Sequence, residues 1–174
     1  MATYSILVTA SGFCALAYQV AWIRQLWLVF GASTAASAAT TAIFVGAMGF
    51  GAIVFGRRVD GSRNALRFYG RLELLVAVSA ALSPVLFGIA RALYVHTGGV
   101  LALGEVKATI VRLAASVAAL GFPSFCMGGT LPAIARRVES LDDIRRRRLS
   151  HLYGANTLGG CLLYTSPSPR DVEE

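Results

Sequence analysis

Four long runs without a charged residue restrict what this chain can fold into. They cover residues 6–23, 35–55, 74–90 and 113–134, and none contains Asp, Glu, Lys or Arg. Each approaches or exceeds the ~17 to 25 residues with which a helix crosses the hydrocarbon core of a bilayer. The sequence therefore predicts an all-α, polytopic transmembrane helix bundle with four spans, at about residues 4–23, 35–56, 72–92 and 110–134, and the start of a fifth at 149–160.

Composition supports a membrane protein and excludes an ordinary soluble domain. Hydrophobic residues make up 56% of the 174 residues and charged residues only 14%, whereas soluble domains carry roughly 25% charge. Residues 1–5 lack the positive charge that begins a signal peptide, and the apolar run after them is longer than a signal-peptide core. We therefore expect the first run to be a retained span.

The arginines are unevenly distributed among the predicted loops, and this distribution predicts the orientation. The connections after the second and fourth spans contain eleven arginines, against three arginines and one lysine in the connections after the first and third. Because short loops rich in Lys and Arg stay cytoplasmic, we expect the N-terminus inside. The residues expected to meet anionic lipid headgroups are Arg57, Arg58, Arg145, Arg146, Arg147 and Arg148. We expect no nucleic-acid partner, because these loops lie between spans and lack aromatic residues for base stacking.

The second span is rich in small residues. Gly46, Gly49, Gly51 and Gly56 alternate with alanines at spacings that include small-xxx-small pairs. Such pairs let another helix approach closely. We interpret them as helix-packing glycines, with packing inside the chain favoured over a seam between two copies.

A possible intramembrane polar site combines the first and fourth spans. Gln19 lies inside the first apolar run, and an amide in hydrocarbon needs a hydrogen-bond partner. Arg24 either joins this site or reaches outward to the interface, where Trp22 and Trp27 are expected as anchors.

The fourth span contains prolines and paired glycines. Pro123, Gly128, Gly129 and Pro132 predict that its helix kinks or partly unwinds. Broken helices line transport sites in membrane proteins, although packing alone also explains a kink.

Catalytic and cofactor motifs are not found in the sequence. Cys14 and Cys126 fall in separate spans and form no CxxC pair, and His96 and His151 have no metal-ligand spacing. No glycine-rich loop follows a strand pattern. The chain is therefore expected to hold no cofactor or metal and not to be an enzyme.

Four ordered segments carry a resemblance to a known family. They are SGFCALAYQVAWIRQLWLVFGAS at 11–33, GRRVD with YGRLEL at 56–74, FPSFCMGGTLPAIAR at 122–136 and LYGANTLGG at 152–160. The chain resembles the membrane part of bacterial spermidine synthase-like proteins, often described as fused major-facilitator/spermidine synthases. The family frequently has Glu where this chain has Gln19, which removes a charge from that position.

The resemblance implies a bacterial inner-membrane location and a role connected with polyamine biosynthesis. In such proteins the membrane helices are joined to a cytoplasmic domain similar to aminopropyltransferases, which transfer an aminopropyl group from decarboxylated S-adenosylmethionine to putrescine. Nothing in this chain matches that C-terminal domain, so no catalytic residue is carried over.

The last residues differ in character from the rest. CLLYTSPSPRD at 161–171 reads as the translation of a sequencing-library adapter. We therefore interpret residues 1–160 as a fragment of the transmembrane domain and 161–174 as a non-native, disordered tail. A natural disordered tail rich in Pro and Ser is the alternative.

Three functions are compatible with the sequence. The first is a module that anchors or serves the missing aminopropyltransferase-like domain. The second is a transporter-like module for polyamines or related cations, in which Gln19, Arg24 and the 123–132 segment share a cavity. The third is a helix-packing or oligomerisation module.

Overall fold

Five helices make up the structure, a computed structural model that describes residues 2–30, 34–62, 64–96, 98–138 and 144–165. Within the helices, the side chains at 28–30, 35–36, 99–103, 144–148 and 164–165 lie outside the description. The helices are α1 (Ala2–Phe30), α2 (Thr34–Asp60), α3 (Ala65–His96), α4 (Gly99–Val138) and α5 (Ile144–Thr165). The described residues contain no strand, and the predicted all-α fold is confirmed.

Four of these helices are long and apolar enough to cross a membrane. The qualifying segments are Ala2–Trp27, Ser37–Asp60, Ala65–His96 and Gly104–Val138. At 32 residues, α3 is about 48 Å long and exceeds the ~30 Å hydrocarbon core. Large apolar side chains stay exposed along α3, including Leu74, Leu82, Val85, Ile89 and Leu93. A lipid-facing surface explains this exposure, since lipid tails solvate such side chains.

Contacts between helices establish an alternating arrangement. The indole of Trp27 in α1 donates to Ser37 near the start of α2, as in a hairpin. Ser11 and Trp22 of α1 bond to Glu73 and Ser83 of α3, in the same order along both helices. Neighbouring helices in the chain therefore run in opposite directions and alternate helices run in parallel, as expected for consecutive spans.

The helices form two groups. α4 packs against both α2 and α3, and α5 packs against α1, whereas contacts between these groups are sparse. The most buried side chains include Leu120 and Ile134 of α4, Leu26 of α1 and Leu152 of α5.

Glycines bring α2 and α4 into backbone contact along a line that we call the α2/α4 seam. A Cβ on Gly51 would overlap the carbonyl oxygen of Phe125, and one on Gly128 would overlap the carbonyl oxygen of Met48. Because each helix places a glycine against the other's backbone, the two approach more closely than side chains allow.

The α1/α5 seam repeats this arrangement. Gly12 lies against the carbonyl of Asn156, and Gly159 lies against the carbonyl of Thr9. Both seams join parallel helices.

The glycines predicted to pack do not act alike. Gly51 lies in the α2/α4 seam, but Gly46 and Gly49 have no atom within 4 Å of a Cβ built on them, and Gly56 meets only Pro132 at 3.9 Å. The prediction that Gly46 and Gly49 pack inside the chain is therefore wrong. Both are exposed in the structure.

The predicted unwinding of α4 near its prolines is also wrong. The one residue of α4 with non-helical φ/ψ is Gly104, at φ 74° and ψ 164°, far from Pro123 and Pro132. Only glycine adopts such a φ without strain. Near Pro132, the Thr130 hydroxyl donates to the Met127 carbonyl at 2.8 Å, within a stretch whose φ/ψ angles stay helical.

The fifth helix continues past the predicted break at residue 161. α5 ends at Thr165, so 161–165 are helical rather than disordered, and 166–174 lie outside the described residues. Leu162 and Leu163 suit a helix, and the first proline is Pro167, which disfavours helical geometry at the residue before it. The adapter origin of this tail stays a prediction.

Candidate functional site

A carboxylate lies inside the segment of α3 that is long and apolar enough to cross a membrane. Glu73 follows the start of that helix by eight residues, about 12 Å along its axis, and is about 11 Å from the helix midpoint. If α3 is centred in a core ~30 Å thick, this position falls within the hydrocarbon. Ionisable residues at such depth are expensive and are typical of functional sites.

Glu73 faces the bundle and not the lipid. Its Oε1 accepts a hydrogen bond of 2.7 Å from the Ser11 hydroxyl of α1. The hydroxyl of Tyr69, one turn earlier on α3, lies close to both groups. Glu73 is half-buried, and within the described part of the chain no cationic side chain pairs with it. The site therefore offers one carboxylate, with free acceptor capacity, surrounded by neutral groups.

A small cavity opens beside this carboxylate. Its volume is about 270 Å³. Glu73, Val76 and Ala77 of α3 form one wall, and Met127 of α4 closes the cavity from the side. The α1 wall consists of Ser11, Cys14, Ala15 and Tyr18. The thiol of Cys14 is exposed and borders this space.

A larger cavity lies between the two helix groups. It measures about 600 Å³ and is bordered by residues of α1, α2, α4 and α5. None of its lining residues is charged, and most are apolar or glycine. Ser11, Ala15 and Met127 border both cavities, so the two spaces adjoin at these residues.

Aromatic rings support the α1 wall. Tyr18 stacks on Trp22 with ring centroids 5.6 Å apart, and Trp22 meets Phe44 of α2 at 6.3 Å. Trp22 is 3% exposed, so its predicted role as an interfacial anchor is wrong, whereas Trp27 is 42% exposed.

A polar partner in α3 explains why the indole of Trp22 is buried. The indole N–H donates to the Ser83 hydroxyl at 2.9 Å. Ser83 in turn donates at 2.7 Å to the carbonyl of Ala80, the group that Pro84 leaves without its helical partner. The Ser83 hydroxyl thus accepts a hydrogen bond from the indole and donates one to the carbonyl that Pro84 frees. Both polar groups therefore have hydrogen-bond partners inside the bundle.

The polar site predicted from the sequence is not assembled as expected. Pro132 borders the larger cavity, but Gln19, Arg24 and Pro123 do not, and the Pro123 side chain is fully buried. Gln19 is half-buried with no hydrogen bond to any described residue, and Arg24 is exposed. The predicted common cavity of Gln19, Arg24 and the 123–132 segment is therefore wrong, because α1 directs Ser11 and Ala15, and not Gln19, toward that cavity.

The basic residues at the Arg-rich end are exposed where they are described. Arg57 and Arg58 are both exposed, and the Arg58 guanidinium lies 5.8 Å from the centroid of the Phe55 ring. Arg136 and Asp60 form an ion pair at 3.7 Å. The side chains of Arg145, Arg146, Arg147 and Arg148 lie outside the description.

Sequence reasoning overlooked Glu73. The predicted third span, 72–92, contains Glu73, but the uncharged run begins at Leu74 and the carboxylate was not named as a site residue. Its neighbours supply the signal that was available, because Leu72, Leu74 and Leu75 are apolar and a loop residue rarely has such surroundings.

Comparison with known proteins gives no evidence on function, so the functional argument rests on the site itself. No family model, no curated protein and no solved structure matches this chain.

Proposed function

We propose that this chain is a transporter-like membrane module that binds small organic cations, polyamines or related amines, at Glu73. The single observation that carries the proposal is the hydrogen bond between Ser11 and Glu73 inside the bundle. A carboxylate in hydrocarbon is unfavourable unless it is compensated. A cationic ligand supplies the charge that the described protein groups do not.

The cavities give such a ligand room. Carboxylate, hydroxyl and aromatic groups converge on the small cavity through Glu73, Ser11 and Tyr18. Carboxylates and aromatic faces are the groups that recognise ammonium ions. The larger cavity, at about 600 Å³, falls in the range of small-molecule sites, ~300 to 1,000 Å³.

The sequence resemblance supports a second proposal, that this module belongs to a larger protein. We propose that it is the N-terminal membrane domain of a bacterial spermidine synthase-like protein and serves a cytoplasmic aminopropyltransferase-like domain beyond this chain. An amine-binding membrane domain and an amine-using cytoplasmic domain would handle chemically related molecules.

Two alternatives account for less of the structure. A pure anchor requires neither an intramembrane carboxylate nor a cavity beside it. An oligomerisation module predicts that the Gly46 to Gly56 face meets another copy, but Gly51 already contacts the Phe125 backbone within the chain.

The direct test is ligand binding in a bilayer. The protein is reconstituted in nanodiscs, and equilibrium binding of radiolabelled hexylamine and putrescine is measured for wild type, Glu73→Gln and Glu105→Gln. Glu105 is an exposed carboxylate of α4 and serves as the control. We expect at least one amine to bind, Glu73→Gln to abolish that binding, and Glu105→Gln to preserve it. Equal binding by wild type and Glu73→Gln would contradict the proposal.

Orientation is tested separately. We propose that the N-terminus and the α2–α3 connection lie on the cytoplasmic side of an inner membrane, as the arginine distribution predicts. A reporter active only in the periplasm, fused after Gly61, is expected to be inactive. An active fusion would reverse the orientation.

A further inference from the structure

Resting on the proposed function, we infer that the ligand is an amine with a single positive charge and an apolar body, and not a polyamine. Its ammonium group lies beside Glu73 in the small cavity. Its apolar body extends past Ser11, Ala15 and Met127 into the larger cavity.

Charge balance limits the ligand to one cation at this site. Glu73 is the one acidic residue among those that border the two cavities. One carboxylate compensates one ammonium group. A second ammonium in the larger cavity would meet no charged lining residue and would lie unpaired within the membrane.

The lining of the larger cavity suits an apolar body. Apolar lining residues include Leu16, Phe44, Val45 and Met48. Met adapts to irregular apolar ligands because its thioether side chain is flexible and polarizable. The few polar groups, such as Thr130 and Asn156, are neutral. They can orient a ligand but cannot replace a carboxylate as partner of a second ammonium.

A matched set of three ligands tests the inference. Hexylamine carries one charge, hexane-1,6-diamine carries two and hexanol none, on the same six-carbon chain. The readout is the fluorescence of Trp22, which stacks on the cavity residue Tyr18. The sequence has two tryptophans, so the Trp27→Phe variant, reconstituted in lipid vesicles without a scaffold protein, leaves Trp22 as the only tryptophan.

We expect hexylamine to bind roughly ten-fold or more tightly than the diamine, because the second charge is uncompensated. Hexanol is expected to bind weakly, and Glu73→Gln is expected to bring hexylamine to the level of hexanol. Diamine binding as tight as that of hexylamine, and dependent on Glu73, would overturn this inference and leave the proposed function intact. Failure of both amines to bind in a Glu73-dependent way would overturn both.

A second pair of variants tests where the apolar body lies. Gly49 borders the larger cavity and Gly46 does not, and neither has an atom within 4 Å of an added Cβ. Gly49→Leu therefore fills cavity space without displacing a helix. We expect it to weaken hexylamine binding several-fold and to leave methylamine binding unchanged. The control Gly46→Leu is expected to change neither affinity. Unchanged hexylamine binding by Gly49→Leu would overturn the placement of the ligand.

Discussion

The two glycine seams and the space between them differ in how helices meet. In the α2/α4 and α1/α5 seams, glycines bring backbone against backbone. Between the seams, contacts are sparse, and α1 reaches α3 through hydrogen bonds to Glu73 and Ser83. In a bilayer, association relies on close packing and polar contacts, because lipid is as apolar as the side chains. The tight pairs hold the bundle together, and the loose space between them is where we propose that a ligand binds.

The two seams share a local feature, which is a pair of adjacent glycines in α4 and in α5. The first glycine of each pair, Gly128 or Gly159, meets the backbone of the partner helix. The second, Gly129 or Gly160, lies against side chains, such as Leu16 in the case of Gly160. In both seams the Gly-Gly pair therefore allows a close approach, to the partner's backbone at the first glycine and to side chains at the second.

The largest effect is expected from a single methyl group in the α2/α4 seam. Gly128→Ala would force the added Cβ into the Met48 carbonyl, and α4 cannot move away because α3 packs on its other side. We expect a loss of about 2 to 3 kcal/mol, within the range for overpacking. Unfolding in a detergent titration measures it. The control Gly46→Ala should be neutral or stabilising by up to ~1 kcal/mol, and equal losses in both variants would contradict the seam.

A smaller loss is expected in the α1/α5 seam. Gly159→Ala brings a Cβ into the Thr9 carbonyl, but α5 packs mainly on α1 and can shift outward. We expect about 1 to 2 kcal/mol by the same unfolding assay. Gly154, which has nothing within 4 Å, is the matched position for an alanine control. A loss larger than that of Gly128→Ala would show that α5 is the more constrained helix.

The polar contact between α1 and α3 should contribute less to the free energy of unfolding than either seam. Trp22→Phe keeps an aromatic ring beside Tyr18 and removes the donor to Ser83. We expect a loss of about 1 kcal/mol, as for hydrogen bonds between membrane helices. Thermal melting monitored by size-exclusion chromatography gives the comparison with Trp27→Phe, which removes an exposed hydrogen bond. The interpretation fails if Trp27→Phe is the more damaging change.

The smallest effect on stability is expected at the end of the bundle that we propose faces the cytoplasm. Asp60 and Arg136 form an ion pair at 3.7 Å with side chains 71% and 44% exposed. Exposed pairs contribute little, so Asp60→Asn should change the free energy of unfolding by under ~0.5 kcal/mol. Melting temperatures at low and high salt measure it, and a loss of several degrees at both would mean that the pair has a larger structural role.

Uncharged length and composition predicted the helices well, but not which helices pack against one another. Span positions follow from uncharged length, which is a local property. The partner of each glycine is not local, and Gly46, Gly49 and Gly51 look alike in sequence although only Gly51 meets a backbone. Trp22 was misplaced for the same reason, since its partner Ser83 lies 61 residues away.

The candidate site shows a different limit of sequence reasoning. Glu73 lies inside the predicted span 72–92 but just outside its uncharged run, so a search for uncharged runs and for polar residues within them gave it no role. Gln19 attracted attention because it interrupts an apolar run, but its amide has no hydrogen-bond partner among the described residues. Glu73 is distinguished by its position along α3 and by its direction toward the bundle. The direction depends on how α1 packs against α3, which the sequence does not show.

The most direct test of the central claim is to label Glu73 with a hydrophobic carbodiimide, which modifies protonated carboxyls in apolar surroundings. Peptide mass spectrometry of the labelled protein in native membranes would locate the modified residue. We predict modification at Glu73, slowed by N,N-dimethylhexylamine, a singly charged tertiary amine that cannot form an amide with the activated carboxyl, and unaffected by hexanol, with the exposed Glu105 and Asp60 unmodified. Modification confined to Glu105 or Asp60, or labelling of Glu73 that N,N-dimethylhexylamine does not slow, would contradict an amine site at this carboxylate.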